Sequence, residues 1–212
     1  MYTQVVIGGS IVGRPQNPNR REELLDQLVA LTTHQSLARL TFRTIAAELD
    51  VSTYTLVYHF GTRRELLDAV LAEAMRRRLD LIGGLDFLHF SRAQMTSALR
   101  TACRNTLSQP QLSSIRLQFE GAALEQIDPD VGTHISEAYL TWADKFGLWI
   151  QRQGIAEPRA RTLARLMIDS VSGIQFGHII SGQSAQSIEV FDVFLDGFME
   201  SVFASGSDRA EP

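Results

Sequence analysis

Apolar residues recur along this 212-residue chain at helical rather than strand spacing. Leu24, Leu25, Leu28 and Leu31 stripe a first helix over 19–35. In "TFRTIAAELD", Thr41 is a candidate N-cap, and Phe42, Ile45, Ala46 and Leu49 share one face of a two-turn helix. Asp50 to Ser52 form a short break, and Ser52 can cap a further helix over 53–59. Thr62 and Glu65 fit a capping box opening a fourth helix, with Leu66, Leu67, Val70, Leu71, Ala74 and Met75 in register up to Gly83-Gly84. Ser91 opens a helix to about Leu107, ended by Pro110, and a shorter one spans 113–126. Asp128-Pro129 reads as a helix start, followed by Val131, Ile135, Ala138, Trp142, Phe146 and Trp149 on one face and closed by Gly154. Pro158 opens another helix, and "SIEVFDVFLDGFMESVFA" is the last. Almost no segment alternates with period two. The pattern predicts an all-α protein of about nine helices.

One stretch departs from ordinary helix composition. "VSTYTLVYHF", residues 51–60, gathers Ser52, Thr53, Tyr54, Thr55, Tyr58 and His59 where interior positions usually carry Ala, Leu or Glu. Two short helices joined by a tight turn, the second rich in polar residues, describe a helix-turn-helix. Ile45, Ala46, Leu49, Val51, Leu56 and Phe60 supply its inner face. Thr53, Tyr54, Thr55, Tyr58 and His59 supply an outer face of donors, acceptors and rings suited to phosphates and base edges. Arg43 and Arg63 flank it with charge. The plainer readings are that Thr41, Ser52 and Thr62 are caps, that His59 packs at a helix end, and that Arg76-Arg77-Arg78 is a solvated face.

Charge supports this only mildly. The chain carries a net −4, which argues against non-specific coating of nucleic acid. Between Arg14 and Arg78, however, ten Arg face eight acidic residues, about +2, leaving about −6 for the remainder. The composition is that of a globular protein, 44% apolar and 21% charged. No apolar run approaches the roughly 18–20 residues of a membrane span. The first 18 residues lack a basic secretory n-region and read as a flexible tail. The single cysteine, Cys103, excludes an internal disulfide framework and points to a reducing cytoplasm.

"LTFRTIAAELDVSTYTLVYHFGTRRELLDAVL" resembles the DNA-binding region of the TetR family of ligand-responsive transcriptional repressors. Thr41, Arg43, Ile45, Ala46, Val51, Ser52, Leu56, His59, Phe60 and Arg63 match its pattern, and the likeness runs from Leu24 to Leu71. By position it implies DNA contacts from Arg43, Thr44, Ser52, Thr53, Tyr54, Thr55, Tyr58, His59 and Arg63. Two positions depart: Tyr54 stands where the family often has Gly, and Val57 where it usually has Tyr.

The expected organisation is therefore a tail over 1–18, a helix-turn-helix domain over 19–65, a ligand-binding and dimerisation domain over 66–205 joined by a helix over 66–82, and a tail over 206–212. A reader of a short half-site gains specificity by pairing, with recognition helices about 34–36 Å apart in successive major grooves. Ile174, Phe191, Phe194, Phe198 and Val202 form the candidate dimer face, packing within one subunit being the alternative. Met95, Leu99, Cys103, Phe119, Tyr139, Trp142, Phe146 and Trp149, with polar Arg116, Glu120, Asp169, Gln175 and His178, are the candidate lining of a site for an apolar or aromatic effector.

Enzyme readings find little support. The histidines at 34, 59, 89, 134 and 178 form no i,i+4 pair and have no Cys partner, and no nucleophile elbow, P-loop or GxGxxG in strand–helix context occurs. No catalytic residue, metal or cofactor is expected beyond an unidentified small-molecule effector. The expectation is a cytoplasmic homodimeric repressor that occupies a palindromic operator and leaves when the effector binds. The alternatives are a regulator indifferent to effectors, or a helical small-molecule-binding protein without DNA binding.

Overall fold

The computed structural model describes residues 18–83, 87–108 and 112–204. The tails expected at 1–18 and 206–212, and the breaks expected at Gly84 and Pro110, lie essentially outside them. Among the described residues there are nine α-helices and no strand: α1 (Arg20–Leu31), α2 (Phe42–Leu49), α3 (Thr53–Phe60), α4 (Arg63–Gly83), α5 (Arg92–Thr106), α6 (Leu112–Ile127), α7 (His134–Arg152), α8 (Glu157–Ser181) and α9 (Ser184–Ala204). Single 3₁₀ turns sit at Leu37–Arg39 and Phe87–His89. No described helix is long and apolar enough to cross a membrane.

The boundaries follow local chemistry. α1 ends earlier than its apolar spacing suggests, because the Thr32 and Thr33 hydroxyls donate back to the carbonyls of Val29 and Ala30, at 2.7 and 2.8 Å. α2 starts on a reciprocal cap in which Thr41 Oγ1 accepts from the Thr44 N–H and Thr44 Oγ1 from the Thr41 N–H. Asp50, at φ 50°, turns the chain out of α2, and Gly61, at φ 69°, turns it out of α3. The Thr62–Glu65 box opens α4 as the spacing predicts.

The Asp128-Pro129 expectation is corrected. α6 runs on to Ile127, and α7 does not begin until His134. Asp128 pairs with Arg64 instead of capping a helix, while the free N–H groups of Ile135 and Ser136 are satisfied by Glu125, at 2.6 and 3.1 Å. Val131, expected on that helix, is buried in the connecting loop.

Two cores result. The first joins Leu24, Leu28, Ile45, Leu56, Phe60, Leu66, Val70 and Leu71 of the first four helices to Leu117, Val131, Ile135 and Ala138 from α6, the loop and α7. The helix-turn-helix thus shares its interior with the C-terminal helices. At the crossing, a Cβ on Gly121 of α6 would stand 2.8 Å from Leu71 Cδ2 and 3.1 Å from Ile135 Cγ1, so a larger residue here would force those side chains to move. The second core gathers Met95, Phe146, Trp149, Ile150, Met167, Phe191, Leu195 and Phe198 of α5 and α7–α9.

Candidate nucleic-acid interface

α2 and α3 are two-turn helices whose buried residues, Ile45 on one and Leu56 and Phe60 on the other, dock against α1 and α4. Fixing the inner face fixes the outer one, since residues three and four apart on α3 share a side. Tyr54 and Tyr58 stand 76% and 63% exposed, and Val57 and Thr53 are exposed beside them. None of the three hydroxyl-bearing side chains has a hydrogen-bond partner among the described residues. Arg43, at the start of α2, is likewise exposed and unpaired there.

The other sequence-derived candidates have structural tasks. Ser52 Oγ accepts from the Thr55 N–H at 3.0 Å and sits 2.8 Å from Thr55 Oγ1, so both hydroxyls close the α3 cap. Thr44 Oγ1 caps α2 and donates to the Arg39 carbonyl at 2.7 Å. His59 lies edge-on to Tyr58, ring centres 5.0 Å apart, as a helix-end packing residue. Arg63 is also bonded within the subunit. Its Nε donates to the Leu40 carbonyl at 2.7 Å and its Nη2 to the Leu37 carbonyl at 2.9 Å, so these donors brace the α1–α2 loop. The Arg76–Arg78 run is not one solvated face: Arg77 bonds Glu73 and Asp26, and Arg78 is half-buried.

The residues proposed to line an effector site separate into three groups. Met95, Leu99, Cys103, Trp142 and Phe146 do meet in the second core, where Trp142 stacks on Phe87 and Phe146 on Trp149. Burial raises the Cys103 thiol to about 12, reinforced by Asp192. Gln175 and His178 are buried on α8; His178 Nδ1 faces Ser187 Oγ at 3.5 Å and its Nε2 is buried without a partner. Phe119 packs on Phe176, ring centres 5.4 Å apart. Gln118, which sequence reading passed over, also has a buried unpartnered Oε1.

Three candidates are bonded away from the second core. The Tyr139 hydroxyl donates to Asp169 on the α7–α8 surface beneath the Arg165 guanidinium, and burial with the Asp169 bond raises it to about 12. Arg116 and Glu120 turn towards the helix-turn-helix. Arg116 Nη2 donates to the Thr32 and Gln35 carbonyls at 2.5 and 3.1 Å, while Glu120 Oε2 accepts from the Leu37 N–H at 2.6 Å. They face the α1–α2 loop because α6 crosses beside it, a long-range relation that spacing cannot reveal.

The residues expected on the dimer face pack within the subunit. Phe191, Phe198 and Val202 are core residues, Phe198 only 3% exposed, and Ile174 and Phe194 pack against the same core. The outward faces of α8 and α9 carry instead Phe176, Ile180, Val190 and Val193, with Ile180 and Val193 72% and 71% exposed. Gly173, Gly177 and Gly197 lie near these residues with open space where a side chain would stand. The periodicity was legible, but both sides of α9 are apolar, so it did not say which side turned inward.

Residues 24–70 match the sequence profile of the tetR family of bacterial regulatory proteins. The chain carries a TetR-family DNA-binding domain. The match ends within α4, so the C-terminal helices are compared through structure. A transcriptional regulator from Rhodococcus sp. Rha1 superposes with a TM-score of 0.73 at 19% identity, covering 87% of this chain and 96% of that one. A TetR transcriptional regulator from Legionella pneumophila gives 0.61 at 15% identity, with 91% and 99% covered. The multidrug binding protein EbrR, complexed with ethidium, gives 0.61 at 22% identity, with 84% and 99% covered. At these identities the likeness is one of fold, and it extends through both domains. No curated protein matches the chain. Residues 24–70 thus match the tetR family of bacterial regulatory proteins, and the fold of the described residues is shared with solved transcriptional regulators.

Proposed function

We propose that this TetR-family protein is a cytoplasmic homodimeric repressor that binds a palindromic operator and is released by a small-molecule effector. The observation that carries the reading is the outer face of α3. Tyr54, Val57 and Tyr58 are held out by a packed inner face, and Arg43 at the start of α2 is exposed and unpaired among the described residues. Such aromatic and apolar exposure has no use within the subunit, and it suits a major groove. Pairing is supported by the exposed apolar stripes of α8 and α9, whose glycines permit close approach of a second copy. An effector site is supported by the buried unpartnered atoms of His178 and Gln118, and by EbrR, a fold relative complexed with ethidium.

The effector would act by favouring a conformer whose recognition helices are wrongly spaced. The contacts of Arg116 and Glu120 with the α1–α2 loop offer a direct route from α6 to that module. An Arg43→Ala, Tyr58→Ala double variant tests the assignment by fluorescence anisotropy on a selected operator. It should lose operator binding while keeping helix content and dimer mass. Unchanged binding would refute the assignment of the site to α2–α3.

A further inference from the structure

Beyond the presence of an operator site, the chemistry of α3 restricts what that site can read. The helix sequence Thr53–Phe60, "TYTLVYHF", contains no Arg, Lys, Asn, Gln, Asp or Glu. The bidentate pairs that single out guanine or adenine, and the carboxylate contact that singles out cytosine, are therefore absent from it. Ser52 and Thr55 have closed their hydroxyls on each other at 2.8 Å. His59 is turned edge-on against Tyr58. The exposed surface that remains is Thr53, Tyr54, Val57 and Tyr58. Tyr54, Val57 and Tyr58 are spaced i, i+3, i+4 and form one contiguous apolar face tipped by two phenolic hydroxyls. A hydroxyl pairs with donors and acceptors alike, so it discriminates poorly between bases. An apolar face discriminates well for one feature of the major groove, the C5-methyl of thymine.

We propose that this protein recognises its half-site through thymine methyl groups packed against Tyr54, Val57 and Tyr58, with hydrogen-bond readout by α3 secondary. The proposal rests on the operator-binding reading above and adds the chemistry of the bound sequence. Val57 is central to it: an aliphatic side chain at the middle of the face has no polar atom and gains from DNA only by covering apolar surface. Tyr54 extends that surface by a full ring at its N-terminal end.

The test uses the full-length protein and a duplex obtained by selection from a random pool. Each thymine of one half-site is replaced singly by deoxyuridine, which removes the methyl and keeps Watson–Crick pairing. Affinities are measured by anisotropy at several stated salt concentrations. At two or more thymines within the half-site, binding should weaken about fourfold, the equivalent of uncovering one methyl-sized apolar group. The slope of log affinity against log salt should stay unchanged, because no phosphate contact is lost. In Val57→Ala or Tyr54→Ala, the uracil penalty should shrink towards unity at one of those positions while persisting at the others. Both residues are exposed, so truncation leaves the core intact. Equal affinity for every uracil duplex, or selected half-sites without thymine, would overturn the proposal while leaving operator binding in place, with recognition then resting on DNA shape. Recovery of no inverted repeat would instead defeat the operator reading, and this inference with it.

Discussion

Glu120 of α6 accepts a 2.6 Å hydrogen bond from the backbone N–H of Leu37, tying the C-terminal helices directly to the helix-turn-helix module. Arg116, one helical turn away, holds the carbonyls of Thr32 and Gln35 just beyond the end of α1 and pairs with Glu120 at 3.3 Å. A cation there complements the negative end of the α1 dipole. Arg63 of α4 holds the same loop through the Leu37 and Leu40 carbonyls. The loop that presents α2 is thus fixed by two helices at once.

Glu120→Ala should therefore lower stability by about 1–3 kcal/mol, since it strands a half-buried N–H. Glu120→Gln, which keeps an acceptor, should lose less. Urea unfolding checks both. Operator affinity should fall in the same order, because loosening this loop loosens α2.

The exposed stripe and the buried aromatics of α9 make opposite predictions. Val193→Asp on the outer face should turn a dimer into a monomer of nearly unchanged thermal stability, as read by analytical ultracentrifugation. Phe198→Ala, in the core, should cost about 3–5 kcal/mol of folding stability. A Val193→Asp protein that stays dimeric would remove α9 from the subunit contact.

Glu73 gives the stability a pH signature. A hydrogen bond from Arg76 leads the causes that hold its carboxyl down to about 2, with Arg77 adding to it and partial burial opposing. A depressed carboxylate stabilises the fold fully above its ordinary value of 4.5, and that contribution is lost as pH falls through about 2. The stability gap between the wild type and Glu73→Gln should therefore narrow from pH 6 to pH 3. Urea midpoints at the two pH values measure it.

Cys103 should be chemically quiet. With its thiol raised to about 12 by burial, little thiolate exists at neutral pH. Native protein at pH 8 should resist iodoacetamide over a period in which urea-unfolded protein is fully alkylated, as followed by mass spectrometry. Rapid labelling of the native protein would reopen a redox role.

How far the sequence carries can be seen residue by residue. Helix positions, the Thr41 and Thr62 caps and the inner face of the helix-turn-helix are local facts, fixed by spacing and capping chemistry, and they were legible. Arg63, Arg116 and Glu120 were not, because their partners lie 23 to 84 positions away in the chain. Charged residues inside an apolar pattern suggest a polar binding site equally well when they are struts between distant backbone segments. The Asp128-Pro129 signal failed for a related reason: Arg64 claims Asp128, and Glu125 supplies the later cap. On α9, Phe191 and Val193 are both apolar neighbours in sequence, and only packing against α5 and α8 decides which is buried.

On the proposed function, α2 and α3 of a paired molecule read a defined duplex. Selection of bound sequences from a random duplex pool by the full-length protein, at a fixed and stated salt concentration, tests it most directly. An inverted repeat is expected, with half-site centres about one helical turn, or a multiple of it, apart. Enrichment of nothing above background, or of a single unrepeated site, would contradict it.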